Sequence, residues 1–299
     1  MIYKSFDGEP QLVGNYSERA MTQKFRVAYE NKISGITGTA PLAGHDITNL
    51  ISEVYLENVK WSGAPTLTLN LGTAQKINCI IIGNPSFNLL TGGIYNGASL
   101  ILDFSKTYWI TDKGYYVKAS DSKRIVFNVG STGINLVKKL APGTESGDVT
   151  DQNILVLLFN SVQATSIQMG FSGGAGNTIN KLYAGSYVEW LIGEGMSYPL
   201  QGMGAGGLTD MGTVYGSARP TRRGYSHKWT EIDDIQRREM EVYIDTVQNY
   251  KAHYIMPFSE DEEFIPPMFV RLNTQELDND KAQLGFFWNS PSLKYNVLR

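Results

Sequence analysis

The sequence predicts a mainly β fold: an antiparallel sandwich followed by a small α+β domain with one main helix. The chain has 31 Gly and 17 Tyr but only 18% charged residues, a balance that favours short strands and tight turns. Apolar stretches with the strand period follow one another from about residue 50 to residue 195. Only one later segment has the period and the cap of a helix.

Residues 1–45 are predicted to form an N-terminal arm, because turn residues follow one another in "SGITGTAPLAGHD". Within this arm, "RAMTQKFRVAYEN" is amphipathic and fits either a strand or a short helix. The start "MIYKSFDGEPQ" has neither a cationic region nor an apolar run, so we expect synthesis in the cytoplasm without a signal peptide.

Residues 46–195 are predicted to form the sandwich. In "TLTLNLG", Leu67, Leu69 and Leu71 alternate with polar residues, which predicts a strand with one buried face. The following "INCIII" is apolar on both faces, which predicts a central strand covered on both sides and makes Cys79 a small buried hydrophobe. We expect the two strands to form a hairpin joined by the polar residues between them.

Further apolar stretches continue the series: "ASLILDF", "KRIVFNVG", "NILVLLF", "TSIQMGF" and "KLYAGSYVEWLI". No helical period separates them, which is typical of an antiparallel sandwich. The polar insert at 139–153 is predicted to be an exposed loop.

Residues 196–299 are predicted to form a small α+β assembly domain, entered through the glycine-rich segment 193–212. Its helix is predicted to begin at the N-cap Thr230, with Asp233 at the capping-box spacing, and to end near Tyr250. The apolar face of this helix is predicted to contain Ile232, Ile235, Met240, Tyr243 and Val247. Late strands are expected in "AHYIMPF", "MFVRLN" and "QLGFFW".

The candidate chemical motifs argue against an enzyme. His45, His227 and His253 are too scattered for a metal site and read as surface or turn histidines. The glycine-rich segment lacks the lysine and the flanking strand and helix of a phosphate-binding loop, and there is no nucleophile elbow. We therefore expect no catalytic residue, no cofactor and no metal. A polysaccharide-degrading enzyme is the third alternative, and it would need two carboxylates that converge in a cleft.

The charge balance and the hydropathy exclude two further classes. Lys and Arg number 26 against 29 Asp and Glu, a net charge of −3, which does not suit a nucleic-acid partner. No window approaches the roughly 20 apolar residues of a membrane helix, so no membrane insertion is expected.

Two charge clusters are candidates for an interface. The basic cluster contains Arg219, Arg222, Arg223 and Lys228. The acidic cluster contains Glu260, Asp261, Glu262 and Glu263. They read either as two solvated loops or as complementary patches that face each other between neighbouring copies of the chain.

Aromatic residues of the predicted loops offer a second candidate site. Trp61 and Trp109, with Tyr95 and Tyr108, are either core residues or exposed platforms on which a sugar ring could stack.

The segment "KWSGAPTLTLNLGTAQKINCIIIGNPSFN" resembles the discoidin-like, galactose-binding-like jelly rolls of tail-associated virion proteins of tailed bacteriophages. "INKLYAGSYVEW" looks like the closing strand of that sandwich, and "GTVYGSARPTRRGYSHKWTEI" is similar to the start of the C-terminal unit that follows it. The single cysteine departs from the disulfide-closed lectin members, and no sugar-contacting loop set can be matched. The resemblance therefore implies the scaffold more than sugar binding.

The resemblance implies a structural subunit of the virion, in the tail, the baseplate or the fibre attachment, made in the host cytoplasm. Its expected partners are copies of itself and other virion tail proteins. The alternative is a carbohydrate-binding module that recognises a host surface glycan through Trp61 and Trp109.

Overall fold

The computed structural model describes part of the chain. The described ranges are 2–6, 24–53, 58–87, 89–104, 108–111, 115–118, 127–128, 154–172, 177–191, 196–197, 200–201, 205–208, 214–217, 222–229, 232–248, 250–257, 267–273, 280–281, 288–289 and 293–298. Within them the protein is mainly β and antiparallel with one α-helix, as the sequence predicts.

The strands of the described residues are numbered in chain order. They are β1 Ile2–Phe6, β2 Lys24–Asn31, β3 Gly35–Gly38, β4 Val59–Lys60, β5 Thr66–Gly83, β6 Leu89–Asn96, β7 Ser99–Asp103, β8 Tyr108–Thr111, β9 Tyr115–Lys118, β10 Phe127–Asn128, β11 Ile154–Ser172, β12 Thr178–Ile179, β13 Lys181–Leu191, β14 Met196–Ser197, β15 Leu200–Gln201, β16 Ala205–Leu208, β17 Val214–Ser217, β18 Arg222–His227, β19 Ala252–Met256, β20 Met268–Leu272, β21 Asp280–Lys281, β22 Trp288–Asn289 and β23 Leu293–Val297. A 3-10 helix spans Ile47–Ile51, and the α-helix α1 spans Asp234–Val247.

The chain divides into two compact units. The N-terminal unit contains Met1–Glu189 with Ile255–Pro267 and Arg299, and the C-terminal unit contains Trp190–Tyr254 with Met268–Leu298. The main division therefore falls close to the predicted boundary between residues 195 and 196.

Two long strands, β5 and β11, run side by side through the N-terminal unit. Their first paired segment joins Thr66–Asn70 to residues 166–170, and their second joins Cys79–Gly83 to residues 154–158. The first segment of β5 also pairs with β3, and its second segment pairs with β13. On the other side, β11 pairs with β6 and, in parallel, with β1.

Bulges interrupt this ribbon between its two segments. Residues 159–161 of β11 lie opposite Asn78 alone, and residues 71–74 of β5 lie opposite Thr165 alone. Gly72 has a φ of +75°, which glycine adopts without strain. Since bulges bend strands, one ribbon can contribute to both layers of a sandwich. Leu69 from its first segment and Ile82 from its second accordingly belong to the same hydrophobic core.

The burial along β5 follows the sequence pattern, but the chain does not turn back between the two apolar stretches as predicted. Leu67, Leu69 and Leu71 are buried between more exposed neighbours, while Cys79 to Gly83 are buried on both faces, as predicted. The predicted hairpin is wrong, because the polar residues are a bulge inside one strand. Each segment pairs with the matching segment of β11, which the sequence suggested to be two strands as well.

The predicted N-terminal arm also differs from the structure. Strand β3 pairs with β5, and β2 pairs with β13. Phe25, Val27 and Ala28 are completely buried. The described residues of this segment therefore belong to the sheet of the N-terminal unit, and the described part of the amphipathic stretch forms the strand β2, Lys24–Asn31. The predicted loop at 139–153 lies outside the described residues.

The C-terminal unit contains a small antiparallel sheet in which β23 pairs with β18 and β20. Short strands β14 and β15 pair with β18, and β16 pairs with β17. The N-cap of α1 is Asp233, whose carboxylate accepts a hydrogen bond from the Gln236 N–H at 2.7 Å. The predicted cap, Thr230, lies outside the described residues. Ile235 was predicted on the apolar face but is 71% exposed, because Met240, Tyr243 and Val247 face inward from another side of the helix.

Candidate functional site

Among the described strands, β7 pairs with β6 alone and so lies at an edge of the sheet, where it carries an exposed apolar patch of the N-terminal unit. Leu100 and Ile101 are 46% and 43% exposed, although strand alternation would bury one of two adjacent residues. The cause is a bulge: Ile94 pairs with Leu102 and Tyr95 pairs with Leu100, which leaves Ile101 without an opposite residue on β6. Tyr95, Leu100 and Ile101 are named the β7 patch below.

A glycine on β6 makes room for this patch. A Cβ atom on Gly93 would lie 2.6 Å from Leu100 Cδ1 and 2.3 Å from the carbonyl oxygen of Leu102. The Leu100 side chain therefore lies directly over the backbone of β6. Because a bulge at a sheet edge disfavours the addition of another strand, the patch offers side chains rather than backbone groups to a partner.

The helix α1 presents a second apolar surface, in the C-terminal unit. Ile235 and Val242 are 71% and 58% exposed, and they lie seven residues, or about two turns, apart. Arg238 and Asp245 flank them and are exposed as well. These four residues are named the α1 face below.

The core of the C-terminal unit is a cluster of aromatic rings and histidines. Trp190 meets Trp229 and Tyr243 edge-on, with ring centroids 5.6 and 5.5 Å apart. The Trp190 indole N–H donates to Glu239 Oε2 at 3.2 Å. The remaining members of this aromatic core are Tyr225, His227, His253 and Tyr295.

Both histidines of the aromatic core are buried, which corrects the prediction of surface or turn histidines. His253 Nδ1 lies 3.0 Å from the Lys251 carbonyl oxygen, so this nitrogen carries the proton and Nε2 accepts from the Tyr243 hydroxyl at 2.6 Å. His227 Nδ1 lies 3.0 Å from the Tyr225 hydroxyl. Burial lowers the pKa of each imidazole from 6.5 to about 4. Both rings are therefore neutral at physiological pH.

Arg26 and Glu189 form a partly buried ion pair in the N-terminal unit. Arg26 Nε donates to Glu189 Oε2 at 2.6 Å, and the guanidinium lies 5.9 Å from the centre of the Tyr187 ring. Burial raises the pKa of the Tyr187 hydroxyl, and it raises the pKa of the completely buried Cys79 thiol far more. Cys79 is the buried hydrophobe that the sequence predicts, and its thiolate is not available for chemistry.

Lys181 is a second buried cation of the N-terminal unit. Its Nζ donates to the Asn49 carbonyl oxygen at 2.5 Å and to Ser52 Oγ at 2.7 Å. Asn49 lies in the 3-10 helix, and Ser52 is its C-cap. The ammonium group therefore satisfies carbonyl and hydroxyl oxygens at the end of that helix, a structural role.

The predicted charge clusters are only partly described. Arg222 and Arg223 lie in β18, where they pair with Gln201 and Leu200 through the backbone. The side chains of these two residues lie outside the description, as do Arg219 and the acidic residues Glu260, Asp261, Glu262 and Glu263. The proposed pairing of the clusters stays a prediction.

Trp61 does not offer a platform for a sugar. Its side chain is 1% exposed in the core of the N-terminal unit, and its indole N–H donates to the Thr39 carbonyl oxygen at 2.9 Å. Of the two alternatives for Trp61, the structure shows the core placement and not the exposed platform, because the ring fills the core while the chain between β3 and β4 satisfies its only polar atom. Trp109 lies in β8, opposite Ser5 of β1, and its side chain lies outside the described residues.

The described residues hold no group of three His, Cys, Asp or Glu side chains that could bind a metal ion. In the same part of the chain, no helix has the length and the apolar composition that crossing a membrane requires.

The two exposed surfaces were not found by sequence reasoning, although each leaves a signal. In "ASLILDF", Leu100, Ile101 and Leu102 break the alternation of a strand. In α1, Ile235 and Val242 are apolar residues seven positions apart, and they lie outside the buried stripe of Met240, Tyr243 and Val247.

A comparison with family models, with curated proteins and with solved structures finds no match for the chain.

Proposed function

We propose that this chain is a structural subunit of a tailed-phage virion that acts through protein–protein assembly, in the tail, the baseplate or the fibre attachment. The observation that carries the proposal is the β7 patch, where two adjacent apolar residues remain exposed on a bulged sheet edge. The sequence resemblance described above supplies the virion class.

The described titratable groups favour assembly over catalysis. The most strongly shifted pKa values belong to Cys79, Tyr183, Tyr225, His227, His253 and Tyr295, and burial is the first cause for each of them. A group whose pKa is shifted for catalysis also needs access to a substrate. All six side chains are buried, so they have the shift without the access.

The β7 patch can supply part of the binding free energy of an assembly. Complete burial of a Leu or Ile side chain is worth about 1.5–3 kcal/mol, so Leu100 and Ile101, each nearly half exposed, would gain about 1 kcal/mol each. Such a gain is modest for one contact. It becomes decisive when many copies are arranged in a symmetric particle.

Incorporation into particles tests the proposal. The gene would be replaced by a tagged copy in the genome that encodes it, and the copies per purified particle would be counted by mass spectrometry. We expect Ile101→Glu to lower incorporation about tenfold, because a charge at a desolvated contact opposes binding.

Leu42→Glu is the matched control, since Leu42 is an exposed apolar residue of the same unit outside the β7 patch, at 37% exposure. This variant should be incorporated normally. Purified particles that lack the chain, or an Ile101→Glu protein that enters particles as efficiently as Leu42→Glu, would contradict the proposal.

A further inference from the structure

We infer that the α1 face is a self-association surface, which pairs antiparallel with the same face of a second copy of the chain about a two-fold axis. The inference goes beyond the proposed function, because it names a partner for a different surface and does not use the β7 patch.

The exposure of the α1 face is its first argument. Met240, Tyr243 and Val247 already attach the helix to its own unit through a completely buried stripe. Ile235 and Val242 lie outside that stripe, and both are more than half exposed. Two β-branched apolar side chains at a seven-residue spacing form a short seam of the kind that packs against another helix.

Charge is the second argument. Arg237 forms ion pairs within the helix, to Asp234 and to Glu241. Arg238 and Asp245 form no ion pair with any residue that the structure describes. They lie seven residues apart on the same flank of the seam, about 10 Å along the axis, so the α1 face presents one cation and one anion at a fixed separation.

An antiparallel two-fold pairing satisfies both charges at once. When the axis crosses α1 between Glu241 and Val242, Arg238 lies opposite Asp245 of the second copy, and the reciprocal pair forms by symmetry. Val242 then lies against Val242 of the second copy at the centre of the contact. This register makes the surface complementary to itself in charge and places Val242 at its apolar centre, while Ile235 lies opposite Gln248 of the second copy at the rim of the contact.

A parallel pairing uses the same residues less well. It would place Arg238 beside Glu239 of the second copy, whose carboxylate already accepts the Trp190 indole N–H. It would also leave Asp245 facing Thr246, a residue without a positive charge. The geometry therefore points to the antiparallel arrangement.

The expected association is weak in dilute solution. One pair of helices buries less area than a stable dimer needs, and exposed ion pairs contribute little each. The contact gains strength where other interactions already hold copies side by side, since the local concentration is then high.

Sedimentation equilibrium of the full chain over a range of concentrations tests the inference, with a charge swap as the central comparison. Arg238→Asp places two like charges together in each half of the antiparallel contact, and so does Asp245→Arg. Each single variant should weaken dimerisation about tenfold. The double variant R238D/D245R should restore it to within about threefold of the wild type, because the pairs form again in reverse.

Two further variants complete the series. Val242→Glu should weaken dimerisation by more than tenfold, since it puts two carboxylates at the centre of the contact. Lys60→Glu is the charge-reversal control, because Lys60 is exposed in β4 and lies outside the α1 face and both charge clusters. It should dimerise as the wild type does. Equal thermal midpoints by circular dichroism would show that every variant is folded.

A double variant that dimerises no better than either single variant would overturn the antiparallel pairing. A wild-type protein that stays monomeric up to about 1 mM would overturn self-association through this face altogether. Either result leaves the proposed function standing if the chain still enters particles and Ile101→Glu still lowers its incorporation, so the two ideas fail separately.

Discussion

His227 and His253 are both buried in the aromatic core, and the pKa of each lies near 4 in the folded protein. In the unfolded chain, both histidines have the ordinary pKa of 6.5. The stability that the neutral rings contribute is therefore complete above about pH 6.5 and is lost as the pH falls towards 4. We expect the C-terminal unit to lose up to about 3 kcal/mol per histidine over this range.

Urea unfolding followed by tryptophan fluorescence checks this expectation, because Trp190 and Trp229 lie inside the aromatic core. The double variant H227Q/H253Q should lose most of the stability change between neutral pH and about pH 4.5. His45→Gln is the control, since His45 lies in the N-terminal unit and is only partly buried. His45→Gln should keep the pH dependence of the wild type. The prediction fails if H227Q/H253Q keeps it as well.

Trp61 is a core residue, so its substitution should affect stability rather than ligand binding. Trp61→Ala would leave a large cavity in the N-terminal unit and should lower the free energy of unfolding by about 3–5 kcal/mol. Trp61→Phe keeps most of the volume but leaves the Thr39 carbonyl oxygen without its indole donor, so a smaller loss is expected. Urea titration measures both losses. Equal stability of the Ala variant and the wild type would contradict the buried placement.

The burial of single residues could be predicted only where the local pattern decides it. Cys79 lies among aliphatic residues in a stretch that is apolar on both faces, and it is buried as predicted. Trp61 stands between Lys60 and Ser62, and its burial depends on the Thr39 carbonyl oxygen, 22 residues earlier in the chain. His253 is a polar residue within an apolar stretch, and its ring packs against Tyr295 from a distant strand. No spacing within the sequence indicates which residues these partners are.

The strand β5 shows which properties of a whole element the sequence can and cannot predict. Its alternating first segment and solid second segment predict the burial on both faces correctly. Its continuity could not be predicted, because a glycine followed by polar residues is as typical of a reverse turn as of a bulge. The choice between the two is made by β11, whose matching segments pair with both parts of β5 but are distant in sequence.

Two glycines of these strands should respond differently to the same substitution. Gly72 has a φ of +75°, and the nearest atom to an added Cβ is Ser34 Oγ at 3.7 Å, so Gly72→Ala should cost only the left-handed strain of about 1–2 kcal/mol. Gly92 has a φ of +100°, and its Cβ would lie 2.2 Å from the Gln168 carbonyl oxygen. Gly92→Ala should therefore cost clearly more, since β6 and β11 would have to separate.

Denaturant unfolding of the two variants under identical conditions makes this comparison. It isolates the contact with β11, because both positions share the positive φ and differ mainly in the space around them. A Gly72→Ala protein that is less stable than Gly92→Ala would show that the bulge in β5 is not where the structure places it.

The N-terminal unit as a whole depends on strands from the start of the chain. Strand β2 pairs with β13, and Asn31 bonds Leu182 and Ala184 through its side chain. Strand β3 pairs with the first segment of β5. The segment 1–45, which the sequence indicates as an arm for assembly, therefore supplies described sheet strands of the molecule itself.

Deletion of residues 1–45 distinguishes these two roles. An arm that only links neighbouring copies would leave a folded monomer when removed. Strands that belong to the sheet would instead expose β13 and the first segment of β5, and would remove Phe25, Val27 and Ala28 from the core. Burial of three such side chains is worth several kcal/mol, a large share of the stability of an ordinary domain.

We therefore expect the truncated chain to lose its near-ultraviolet circular dichroism and to expose apolar surface to a hydrophobic dye. A truncated chain that keeps the wild-type spectrum and unfolds with the wild-type midpoint would restore the separate arm and remove β2 and β3 from the fold.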